Sequence, residues 1–112
     1  MTSRRAPAPA VNAPYLLDAE VVSALLGLVR GRKLTGKQAD AAMRSYRDFP
    51  IERHDVIALW SRLKVLHASL SAYDAQYVAL AEALGLPLIT AAARIQRSGA
   101  ATCAVEVAGP HA

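Results

Sequence analysis

The chain has 112 residues, a net charge of +4 and 54% apolar residues, which fits one domain with a core and excludes a wholly disordered chain. A single cysteine, Cys103, excludes an internal disulfide and a multi-cysteine zinc site, and 5% aromatic residues argue against a base-stacking platform for single-stranded nucleic acid. No apolar run reaches the roughly 18 residues of a membrane span, and Ala-Pro repeats follow Arg4 and Arg5 where a secretory signal needs an apolar segment; no membrane partner and a cytoplasmic location are expected.

Residues 1–12, rich in Pro and Ala, read as a flexible arm ahead of a domain over 13–108, with 109–112 as a tail. A short apolar piece, Ala13 to Leu17, precedes Asp18, which suits a helix N-cap. Val21, Val22, Leu25, Leu28 and Val29 then recur at helical spacing up to Arg30 and Gly31. A second helix follows Thr35 and is closed by Pro50, and 51–55 reads as a short edge strand. Leu59, Leu63, Leu66 and Leu70 mark a helix over 56–70. Ser71 to Asp74 has the form of a capping box opening a helix that runs to Leu84 and stops at Gly85. Residues 86–90 and 103–107 read as strands that are parallel neighbours. Helices between short apolar strands predict an α/β fold with a parallel sheet.

Few residues offer chemistry. His54, His67 and His111 lack metal-ligand spacing, and no nucleophile elbow, phosphate loop or dinucleotide fingerprint occurs. Cys103 lies in a strand pattern and suits a core position. Carboxylates are left. Glu20 and Asp74 each occupy the first turn of a helix, where offsetting the helix dipole is the commoner use of an acid.

The stretches APYLLDAEVVSALLGLVR and SAYDAQYVALAEALGLPLITAAAR carry further information. Their Leu17-Asp18-x-Glu20-Val21 start, the Tyr73-Asp74 pair before an Ala-rich helix, and the Leu88-x-Thr90-x-x-x-Arg94 strand end resemble the VapC-type PIN-domain ribonuclease toxins. The resemblance runs from about Ala13 to Val107. It implies a three-layer PIN-like fold, a parallel sheet flanked by helices. It also implies four acids at the sheet's C-terminal edge that hold Mg²⁺, which activates a water to cut RNA. Glu20 matches the second acidic position and Asp74 the third, as metal ligands and catalytic residues expected within reach of one hydrated cation. Thr90 and Arg94 are the implied substrate contacts.

Two positions depart from the pattern. The fourth acid falls on Ala92, and the first belongs to a strand not found ahead of Ala13, which reads as a late start codon or a decaying relative. Little or no Mg²⁺-dependent RNA cleavage is therefore expected. The resemblance implies a small antitoxin and an RNA as partners and leaves a homodimer open. The alternative is a non-catalytic PIN remnant that binds an antitoxin, its groove formed by the helices at 18–30 and 39–49. A third class, a helix-turn-helix around Gly36–Phe49, has unremarkable basic content. Arg30, Arg32 and Lys33 read as a solvated face, although with Arg94 they could line an RNA path.

Overall fold

The computed structural model describes residues 11–109. Val11–Pro14 forms strand β1, followed at once by helix α1, Leu16–Arg30. Val11 and Asn12 pair with Ile51 and Glu52 of strand β2, Ile51–His54, in parallel register. The strand thus takes in two residues expected to be part of the arm; residues 1–10 and 110–112 lie outside the described residues.

Asp18 is not the N-cap. Tyr15 holds that place without a side-chain cap bond, and Asp18 sits in the first turn of α1. Its carboxylate accepts from Arg53 Nε at 2.7 Å, Arg53 Nη2 at 2.8 Å and the Tyr46 hydroxyl at 2.6 Å. A bidentate guanidinium is a stronger partner than the single backbone N–H a cap would satisfy. Helix α2, Gly36–Asp48, does begin with a complete capping box, Thr35 Oγ1 accepting from Gln38 N and Gln38 Oε1 from Thr35 N.

The expected helix over 56–70 is divided. A 3-10 turn at Ile57–Leu59 leads into helix α3, Trp60–Leu66. The chain then tightens, with Ser69 N and Leu70 N both donating to Leu66 O at 3.0 Å. This turn brings both Leu66 and Leu70 into the core, 1% and 7% exposed.

Helix α4, Ala72–Leu84, is the centre of the fold. Ser71 Oγ accepts from Asp74 N, but the return half of the box is missing because Arg94 holds the Asp74 carboxylate. Gly85 ends the helix with φ +66°, a conformation that costs glycine nothing, and Leu86 N reaches back to Ala81 O. Strand β3, Leu88–Thr90, then pairs in parallel with β4, Val105–Val107, as expected, though both are shorter than 86–90 and 103–107. Between them lies α5, Ala93–Ser98, a helix of six residues, too short for periodicity to reveal.

The strands form two parallel pairs, β1 with β2 and β3 with β4. A groove of about 430 Å³, lined by residues such as Ala13, Pro14, Tyr77, Leu80, Leu88 and Ile89, opens between β1 and β3. Backbone pairing needs strands about 4.8 Å apart, so no ladder bridges that gap. The core joins α3 and α4 to β3 and α5 through Leu66, Leu70, Ala75, Val78, Ala79, Ala81, Leu88 and Ile95. The small side chains at 75 and 79 let α4 lie close to its neighbours. Helix α1 buries no residue and leaves Val22, Leu26 and Leu28 exposed.

Candidate functional site

Asp74 is the buried charged residue of the described chain, 8% exposed at the first turn of α4. A carboxylate there needs partners, because losing water without replacement bonds is costly. Arg94 supplies them: Nε donates to Oδ2 at 2.7 Å and Nη2 to Oδ1 at 3.0 Å. The Arg94 side chain itself stays 64% exposed. Its position comes from the turn after β3, where Thr90 Oγ1 accepts from Ala92 N at 3.0 Å and starts α5. The Thr90 hydroxyl oxygen is thus engaged with the backbone N–H of Ala92.

Glu20 arrives from α1. The Tyr77 hydroxyl donates to Glu20 Oε1, and Tyr77 lies three residues after Asp74, on the same face of α4. Tyr77 thereby ties Glu20 to α4, about one turn beyond Asp74. Burial, and then the Glu20 hydrogen bond, push the Tyr77 hydroxyl well above its ordinary value, with the Asp74 charge adding to the effect. Tyr77 therefore remains a protonated donor at neutral pH. Arg94 is held in its charged form first by the Asp74 hydrogen bonds and also by the field of Glu20. Both carboxylates thus act on Tyr77 and on Arg94. A cleft of about 370 Å³ opens alongside, lined by Leu16, Ala19, Glu20, Ser23, Ala24 and Tyr73.

A divalent cation such as Mg²⁺ requires several free oxygen ligands. Here both Asp74 oxygens accept from a guanidinium and one Glu20 oxygen accepts from a phenol. Ala92 brings only a methyl group to the N-cap of α5. Among the described residues no group of three or more His, Cys, Asp or Glu could hold a metal ion. These residues do not fit a resident divalent ion in this arrangement. What they present outward is a guanidinium steadied by an acid.

Other polar side chains serve the fold. His54 Nε2 lies 2.8 Å from Asn12 Oδ1, and His67 Nδ1 lies 3.0 Å from Leu70 O. Arg62 donates to both oxygens of Glu82 at 2.6 and 2.9 Å, and Thr102 N donates to Glu82 Oε2 at 2.8 Å. That network ties α3, α4 and the loop before β4. Arg30, Arg32 and Lys33 are exposed at the end of α1. Sequence reasoning overlooked Tyr77, although its i+3 spacing from Asp74 was visible. It also overlooked the Asp18–Arg53–Tyr46 cluster, which no local signal announces.

Relatives share most of this chain. Ribonuclease VapC9 of Mycobacterium tuberculosis is 38% identical over 97 residues, spanning 87% of this chain and 76% of the relative. Ribonuclease VapC1 of the same organism is 34% identical over 101 residues, 86% of this chain and 73% of the relative. Ribonuclease VapC3 is 41% identical over 93 residues, 80% of this chain and 65% of that protein. No family model and no solved structure matches the chain.

Proposed function

The chain belongs to the VapC family of ribonucleases, and we propose from that membership that it is the toxin of a VapBC-type toxin–antitoxin pair, directed at RNA. The observation behind the reading is that the Tyr77 hydroxyl donates to Glu20 while Tyr77 lies about one helical turn beyond Asp74 on α4. Glu20 and Asp74 are the catalytic carboxylates of this reading. Arg94 is its phosphate contact, because its guanidinium is charged, exposed and held in place. Thr90 positions Arg94 by starting the turn into α5.

The family resemblance calls for Mg²⁺ at these acids. Two carboxylates that already accept from Arg94 and Tyr77 support RNA binding ahead of hydrolysis. A second reading, an antitoxin-binding module without catalysis, is favoured by Ala92 and by the filled Asp74 carboxylate. In that reading the antitoxin covers the exposed Val22, Leu26 and Leu28 of α1. No helix among the described residues is long and apolar enough to cross a membrane.

The test uses purified full chain, labelled RNA and Mg²⁺, with Asp74→Asn and Arg94→Gln beside it. RNA binding weakened in Arg94→Gln, with little or no cleavage, is the expected result. Robust cleavage abolished by Asp74→Asn overturns the non-catalytic reading and shows that two carboxylates suffice. Neither binding nor cleavage overturns the RNA-directed reading.

A further inference from the structure

Helix α1 ends in a turn whose glycine stands one residue out of place. Lys33 N donates to Leu28 O at 2.8 Å and Arg32 N to Val29 O at 3.0 Å, the paired closure that sets one residue in left-handed backbone. That residue is Arg32, at φ 60°, the only non-glycine with positive φ among the described residues. Gly31, which adopts that conformation freely, lies just before it at φ −80°. A Cβ in left-handed backbone crowds a carbonyl oxygen and destabilises the chain. Offsetting the helix dipole does not account for an arginine here, since Arg30 and Lys33 on either side supply that charge.

Charge singles out the same turn. From Val21 to Ala39 the chain carries Arg30, Arg32, Lys33 and Lys37 but no Asp or Glu. All four cations are exposed. Among the described residues none of their side chains makes an ion pair or hydrogen bond, whereas Arg53, Arg62 and Arg94 are each held by a carboxylate. The same segment has no aromatic residue, so it offers bases nothing to stack on. Arg30 follows Glu20 by ten positions, which sets the turn about 15 Å along α1 from that acid. On the Glu20 face between them stand only Ser23, Ala24 and Gly27, all exposed.

We infer that the turn joining α1 to α2 binds RNA phosphates, a second contact for the strand that Arg94 meets near the start of α1. The inference rests on the RNA-directed reading and adds to it a direction, along α1 from Glu20 to Lys33. Unpaired cations without neighbouring acids or aromatics hold backbone rather than bases, so the turn supplies affinity without sequence preference. Arg32 keeps a guanidinium at a position where glycine is the more stable residue, stability given up for binding.

The probes are labelled oligouridylate and oligoadenylate of about 12 nucleotides, titrated into the full chain over a range of salt concentrations with no divalent metal present. Arg32→Gly is expected to raise Tm by a few degrees, to weaken RNA binding about threefold and to reduce the salt slope by about 0.7. Arg30→Gln combined with Arg32→Gly and Lys33→Gln is expected to weaken binding by more than about tenfold and to reduce the slope by about 2, equally for both RNAs. Lys64→Gln, an exposed cation of α3, is the control and should change affinity less than about 1.5-fold. Unchanged RNA affinity in Arg32→Gly and in the triple variant, with binding still weakened by Arg94→Gln, overturns the inference and leaves the RNA-directed reading standing. A loss in Lys64→Gln as large as in Arg32→Gly overturns the assignment to this turn. Polyglutamate bound as tightly as RNA, and weakened alike by the triple variant, overturns the choice of RNA in favour of an acidic protein. No RNA binding by the unmodified chain overturns both readings.

Discussion

The Tyr77 hydroxyl donates to Glu20 Oε1 across 57 positions of sequence. It ties α1 to α4, two helices that otherwise share little buried surface, since α1 contributes no buried residue. Replacing Tyr77 with Phe keeps the ring and removes the donor. Loss of this one bond to a charged acceptor is expected to cost about 1–2 kcal/mol, read by denaturant unfolding. A spectroscopic titration should find Tyr77 and Tyr46 ionising above the ordinary range, and Tyr77→Phe should remove the more strongly raised of the two. A tyrosine titration unchanged by the substitution would falsify the assignment.

Ala92→Asp should stabilise the chain. Ala92 is the N-cap of α5, its backbone already extended at φ −91° and ψ 92°, and it offers no capping atom. Aspartate is among the best residues there and improves on alanine by about 1 kcal/mol, an increase of a few degrees in Tm. A lower Tm would mean that the new charge disturbs the Asp74–Arg94 pair.

Acid should weaken the fold in a defined window. The Arg62 hydrogen bonds hold the Glu82 carboxyl at about 2, and those of Arg53 hold Asp18 at about 2. Their ordinary values are 4.5 and 3.8, so folding depresses both. Depressed acids contribute stability that is fully present above the unfolded value and is lost as pH falls toward the folded one. Stability should therefore fall between about pH 4.5 and pH 2, and Glu82→Gln should flatten part of that fall while lowering stability at pH 7. An unfolding midpoint in Glu82→Gln with the original pH dependence would refute the role of the Arg62 pair.

Leu66→Ala should be among the most damaging changes. Leu66 is 1% exposed and closes the core between α3 and α4. Truncation of a buried leucine costs about 2–5 kcal/mol, a large share of a small domain's stability. Leu26→Ala, at an exposed position of α1, should change stability by less than about 0.5 kcal/mol. Equal losses at the two positions would show that the core is placed wrongly.

Local chemistry made much of this protein legible from its residues. The helix from Ser71 to Gly85 follows from a capping hydroxyl and a left-handed glycine, both effects that act within a few residues. The short strands at 88–90 and 105–107 follow from apolar runs beside turns, and their parallel pairing fits the alternation of helices and short strands along the chain. Glu20 and Asp74 could be singled out by residue type, position and resemblance. Their arrangement could not. The partners of Asp18, Asp74 and Glu82 lie 35, 20 and 20 positions away, and a carboxylate's partner is decided by which donor the packed chain brings within 3 Å. Asp18 and Asp74 each suit a cap by their local position, and each takes an arginine because folding delivers a stronger, two-bond donor. The division of the strands into two pairs is likewise a tertiary result: strand-forming residues determine that a segment can extend, but only the spacing of whole elements decides which edges come close enough to bond.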